Sequence, residues 1–148
     1  MNSYNGYTPQ QRTKALKWFR AAQARGEKSR HPESCDICGQ TEGHLEWHSE
    51  DYSEPFDLDH IGKFGLCYPC HMMIHCRFKN KEAWKVYGES IKEGFRFRIK
   101  GRNWQDFAQF FLYEKCRNIG RFHAENTNYQ LFLDIGAGKF AGSGVVTE

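Results

Sequence analysis

The sequence lacks any long apolar run. No stretch approaches the roughly 18 residues of a membrane-spanning helix, and the mean hydropathy is low. The first residues, MNSYNGYTPQQR, lack the basic-then-apolar order of a secretory signal. Both absences speak against a membrane protein and lead to the expectation of a cytoplasmic one. No internal repeat recurs. A glycine-rich nucleotide-binding turn is also missing: Gly136, Gly138 and Ala141 imitate one, but only seven residues follow Ala141, too few for the required helix. Basic residues are scarce in one place only. Residues 32–76 hold one Lys against nine acids, a net of −8.

The rest of the charge has the opposite sign. Residues 1–31 carry seven Lys/Arg against one acid, and residues 77–102 carry nine against three, so each flank nets +6. An acidic centre between basic flanks suits a cation site held against a polyanion. A length of 148 residues and 16% aromatics allow one domain with a modest core.

Local signals place four helices and three extended stretches. Thr8-Pro9-Gln10-Gln11 reads as a capped helix start, followed by Ala15, Trp18, Phe19 and Ala22 at helical spacing, with an end near Arg25-Gly26. His44–His48 and Lys63–Leu66 read as short strands. A second helix begins near Pro69. Asn80 caps a third, with Ala83, Trp84, Tyr87 and Ile91 on one face, and Asn103 caps a fourth, striped by Trp104, Phe107, Ala108, Phe111 and Leu112. Phe95 to Lys100 alternates apolar and basic, as a half-exposed strand or arm does.

The chemistry is concentrated between Cys35 and His75. Cys35-x2-Cys38 and Cys67-x2-Cys70 are 28 residues apart. Each pair lets two thiolates converge on one ion, and four close a tetrahedral, structural zinc site. Such a staple holds a segment too polar to fold by burial alone. Cys76 and Cys116 read as spectator thiols. Five histidines (His44, His48, His60, His71, His75) are then in surplus. His71 and His75 are four apart, so both rings leave one face of the second helix. With His48 at the end of the first strand they make a three-nitrogen site with open positions, which is what metal-assisted hydrolysis requires. His44 and His123 read as surface residues, and Trp47 as hairpin core.

The run "CDICG…LEWHSEDYSEP…LCYPCHMMIH" resembles the zinc-ribbon branch of the HNH (His-Me finger, ββα-metal) endonucleases, over about Cys35 to His75. The resemblance implies a β-hairpin and a helix gripping one divalent ion that contacts the scissile phosphate. It implies a histidine that activates water and an asparagine that orients that histidine. His48, His71 and His75 fall on the metal-ligand positions. The base position falls on Ser49 and the asparagine position on Gly62. Serine accepts a proton near neutral pH only with help, so His60, paired in sequence with Asp59, stands as the reserve proton acceptor. Asp51 is a further candidate. In a register shifted by one, His48 is the base and Asp51 or Asp59 a ligand. Asp51-Tyr52 also reads as a loop anchor.

The expected fold is α+β: a small zinc-stapled ββα-metal centre flanked by helices, within a single domain over residues 1–148. Residues 1–31 form a basic helix, 32–79 the zinc-bound core, 80–117 a helical basic extension and 118–148 a loosely ordered tail. Arg77, Lys79, Lys85, Arg96, Arg98, Lys100 and Arg102 are the expected contacts to phosphates. The expected activity is hydrolysis of phosphodiester bonds in DNA with Mg²⁺, Mn²⁺, Ni²⁺ or Zn²⁺ as the second ion. The alternative is an HNH-like zinc module that binds nucleic acid or a protein without cutting. Cutting both strands with one site per chain favours a homodimer.

Overall fold

Thr8 starts the first helix by a reciprocal cap. Its hydroxyl accepts from the Gln11 amide at 3.1 Å, while the Gln11 side chain accepts from the Thr8 amide at 2.8 Å. Helix α1 then runs Pro9–Ala24, burying Ala15, Phe19 and Ala22 and exposing Lys14, Lys17 and Arg20. The computed structural model describes residues 1–97, 99, 101–111 and 121–142. Within them the fold is mixed α+β, with five helices and two small sheets. No described helix is long and apolar enough to cross a membrane.

Strand β1 (Leu45–His48) pairs antiparallel with β2 (Phe64–Cys67), setting His48 opposite Phe64 and Leu45 opposite Cys67. Helix α2 (Tyr68–Cys76) begins on the very next residue. Cys67 is still extended, at ψ 163°, and Pro69 fits the first turn, where its missing N–H costs nothing. With no linker between strand and helix, the histidines of α2 stay close to the hairpin. Helix α1 packs across the same hairpin at Gly62. There φ is +65°, and a Cβ would stand 2.2 Å from the Phe19 ring, so no side chain fits.

Asn80 caps α3 (Lys81–Lys92) by accepting from the Ala83 amide at 2.9 Å. Strand β3 (Phe95–Phe97) follows, then α4 (Trp104–Phe111), capped by Asn103. Phe97 and Ile99 of the expected alternating stretch are buried, while Phe95 and Arg96 are both half-buried. Arg98, Lys100, Leu112 and Cys116 lie outside the described residues.

Residues 121–142, the described part of the expected loose tail, are folded onto the rest of the chain. Strand β4 (Arg121–His123) pairs antiparallel with β3, and α5 (Tyr129–Gly136) docks on α3. Two glycines make the approach possible. Gly88 has the Phe132 ring where its Cβ would be, and Gly136 has the Trp84 indole. The Trp84 and Phe132 rings stack at 3.8 Å. Gly136, which in the sequence imitates part of a nucleotide-binding turn, is a packing notch. The segment also touches the cysteine loop, where the Asn128 amide donates to the Ile37 carbonyl at 2.5 Å. Replacing Phe132 by Ala should therefore cost about 3–5 kcal/mol, measured by denaturant unfolding of the zinc-loaded chain. A loose tail would leave the midpoint unmoved.

Candidate metal centres

The first centre is made of sulfur. The Sγ atoms of Cys35, Cys38, Cys67 and Cys70 all lie within 4.8 Å of one another, and all four residues are buried. Cys38 and Cys67 are 3.6 Å apart. A tetrahedral ion with Zn–S bonds of about 2.3 Å sets its sulfurs about 3.8 Å apart. The loop at Cys35 has the hydrogen bonds of a metal knuckle. Its sulfur accepts from the Cys38 amide at 3.5 Å, and the Gly39 amide returns to the Cys35 carbonyl at 2.9 Å. The Asp36 carboxylate accepts from the Gly65 amide at 2.8 Å and ties that loop to β2.

Charge in the sulfur cluster calls for a cation. Burial works against a Cys35 thiolate, yet bonds from Cys38, Cys67, Cys70 and the Cys38 amide hold its pKa well below the usual thiol range. Burial pushes the Cys67 and Cys70 thiols well up, with the neighbouring sulfurs reinforcing the shift. One negative charge is thus favoured and further ones are resisted. A bound cation is what lets all four ionise together. Tyr87 of α3 stands 2.7 Å from the Cys70 sulfur, placed to donate to a thiolate. The buried four-cysteine cluster could hold a metal ion such as zinc.

The second group of ligands is nitrogen. His48, His71 and His75 each offer a ring nitrogen within 4.8 Å of the others. The Nε2 atoms of His71 and His75 are 3.0 Å apart, and the His48 ring centre lies 4.9 Å from that of His71 and 5.1 Å from that of His75. His48 comes from the last position of β1, and the other two come from one face of α2. The expected trio is therefore brought together.

Two of these rings are held from behind by carboxylates that sequence reasoning did not single out. Glu46 Oε1 sits 2.6 Å from His71 Nδ1, and Glu50 Oε2 sits 2.5 Å from His48 Nε2. Burial opposes ionisation of Glu46, but bonding to His71, aided by His44 and Arg102, holds its carboxyl down at about 2. Glu50 reaches about 2 in the same way, burial being outweighed by His48, Arg77 and Tyr4. Burial drives His48 down to about 4, against the pull of Glu50. A neutral His48 that donates from Nε2 to Glu50 leaves its lone pair on Nδ1. That atom is buried and has no hydrogen-bond partner. Burial also pushes His75 well below its usual range, with nearby positive charge adding to the effect. A neutral His48 whose far nitrogen is tied to a carboxylate is in the form that ligates metal.

Glu50 has its own supports. Arg77 Nη2 donates to Glu50 Oε1 at 2.9 Å, the Asn5 amide donates to the same oxygen at 3.1 Å, and the Tyr4 hydroxyl donates to Oε2. Residues 4–7 form a small turn, closed by a Tyr4–Tyr7 bridge with Asn5 at φ +51°. That turn inserts Tyr4 and Asn5 beside the hairpin.

No family model, curated protein or solved structure matches this chain.

The remaining site expectations fare unevenly. Arg77 was expected on a phosphate-binding surface. It is buried instead, its two terminal nitrogens held by Glu50, Tyr4, Asn5 and the Ile74 carbonyl while Nε has no partner. His60 has both nitrogens engaged, Nδ1 2.9 Å from Asp57 and Nε2 2.9 Å from the Ser53 carbonyl. Asp51 accepts from Tyr7 at 2.7 Å and from the Ser53 amide at 2.8 Å. Neither joins the histidine cluster; both fix the loop. Tyr52 packs against Tyr7 and Arg12. Ser49 is buried and accepts from the Gly62 amide at 2.7 Å, so the two positions that depart from the family pattern bond to each other. Lys79, Lys85 and Arg102 are exposed, Arg102 lying 3.8 Å from Glu46. Arg96 is half-buried over the Phe122 ring.

Two measurements follow from this geometry. Metal analysis of the purified chain should find two ions, and His71→Ala should lose one while keeping the sulfur-bound one. Glu50→Gln strands Arg77 in the interior and should cost about 3–5 kcal/mol in denaturant unfolding.

Proposed function

We propose that this chain is a metal-dependent, HNH-like nuclease that hydrolyses phosphodiester bonds in DNA. The observation that carries this reading is the meeting of His48 from the hairpin with His71 and His75 from the helix. Two of these rings are backed by the carboxylates Glu50 and Glu46. The order β1, β2, α2, with the histidines on the first strand and the helix, supports this reading because it is what the resemblance to ββα-metal centres implies. Three nitrogen ligands leave coordination positions open, as hydrolytic sites do and closed structural sites do not. A divalent ion held there supplies positive charge for a phosphate oxygen and for acidifying water, which lessens the need for a side-chain base.

The chain's own residues do the rest. Glu46 and Glu50 fix the tautomers and angles of His71 and His48. The sulfur centre, best filled by zinc, fixes the junction of β2 and α2. Lys79, Lys85 and Arg102 lie exposed, where they hold the backbone of a strand by contacts blind to sequence and sensitive to salt. Two copies of the chain would serve the two strands of a duplex.

One observation favours a second reading, a zinc module that binds nucleic acid without cutting it. Ser49, at the position of the family's base, is buried and committed to the Gly62 amide. Supercoiled plasmid incubated with the zinc-loaded chain and Mg²⁺, Mn²⁺ or Ni²⁺ separates the two. Nicked and linear products are expected, none with His71→Ala, and products appearing about 10–100-fold more slowly with Glu46→Gln. Intact plasmid with every metal, together with steeply salt-dependent binding, selects the second reading.

A further inference from the structure

Beside the histidine cluster stands a buried guanidinium with no opposite charge to meet it. Arg12 faces inward from α1 and keeps 8% of its surface. Its Nη1 donates to the Asn2 carbonyl at 2.5 Å and its Nη2 to the Tyr52 hydroxyl at 3.3 Å, while Nε has no partner. The guanidinium carbon lies 5.4 Å from the Tyr4 ring centre and 5.0 Å from that of Tyr52. All of these partners are neutral. Among the described residues no carboxylate pairs with Arg12, and Glu50 is already taken by Arg77. A buried charge without an opposite one is costly. This one is held in place by two aromatic rings.

Arg12 also lines a cavity of about 820 Å³, together with His75, Phe78, Lys79, Asn80 and Trp104. That volume is in the range of small-ligand sites, about 300–1,000 Å³. His75 joins the cavity to the nitrogen cluster. Lys79 and Arg12 make it positive, and Trp104, 48% exposed, offers aromatic surface that the core does not use. An arginine fork matches the oxygens of a phosphate, and an exposed indole matches the face of a base.

We propose that this cavity is a nucleotide subsite, in which Arg12 holds a phosphate of the bound strand beside the histidine cluster while Trp104 stacks the attached base. The identity of the strand rests on the nuclease reading; the binding does not require cleavage. A base reaches Trp104 only when it is out of the helical stack, so the subsite favours unpaired over duplex DNA.

The probe is thymidine 3′,5′-bisphosphate, with thymidine as the phosphate-free control. It is titrated calorimetrically into the zinc-loaded full chain without added divalent ion, so cutting plays no part. The bisphosphate should bind at least tenfold more tightly than thymidine. Arg12→Gln should erase that advantage, and Arg12→Lys should lose part of it, keeping the charge but not the fork. Trp104→Ala should weaken both ligands alike. Zinc content and circular dichroism identify folded variants, and if Arg12→Gln does not fold, Arg12→Lys decides. Equal binding of the two ligands by the wild type, or an undiminished advantage in the folded Arg12 variants, overturns the proposal. A chain that binds through Arg12 but leaves plasmid intact sinks only the nuclease reading, and a chain that cuts plasmid while indifferent to Arg12 sinks only this one.

Discussion

Four buried sulfurs tie the loop at Cys35 to the place where β2 turns into α2, and the rest of the centre is positioned from that knot. Because α2 leaves β2 without a linker, its direction is set by the same two cysteines that join the cluster, Cys67 and Cys70. The direction of α2 in turn decides where His71 and His75 stand relative to β1. The segment has nine acids and one Lys, yet Ile37, Ile61, Leu66, Met73 and Ile74 are fully buried around the sulfurs, so apolar packing and the cysteine cluster hold the junction together. The acids are not idle ballast: Glu46 and Glu50 orient imidazoles, Asp36 anchors the knuckle, and Asp51 and Asp57 tie the loop.

The interior next to this knot is unusually polar. Glu50, Arg77, Asn5, Tyr4 and His48 form one connected set of bonds, drawn from the N-terminal turn, the hairpin and the end of α2. Such a network is stable only when every member is satisfied. Within the network His48 Nδ1 and Arg77 Nε are buried without a partner, and among the other described residues so are Nε of Arg12 and Arg96 and the Gln40 side-chain amide.

What could be read from sequence was local. The Thr8–Gln11 box, the Asn80 and Asn103 caps and the cysteine spacing each depend on residues a few places apart, and each is in the structure. The two hairpin strands were placed within one residue, while β4 was not foreseen. What escaped depends on distant partners. Arg77 follows a helix amid other cations, and nothing near it in sequence distinguishes it from Lys79. Its burial depends on Tyr4 and Asn5, more than seventy residues away. Gly136 takes its meaning from Trp84, and α5 from α3. One backing carboxylate did leave a trace: Glu46 and His48 alternate within β1, and alternate residues of a strand share a face.

Tyr87 belongs to two structures at once. Its hydroxyl meets the Cys70 sulfur, while its ring stacks on Phe97 at 5.0 Å and tilts against Phe132 at 5.8 Å. The aromatic seam that seats β3 and α5 therefore ends on the sulfur knot. In a chain wired in this way, an ion held by the four sulfurs would brace through Tyr87 the helices that carry no ligand.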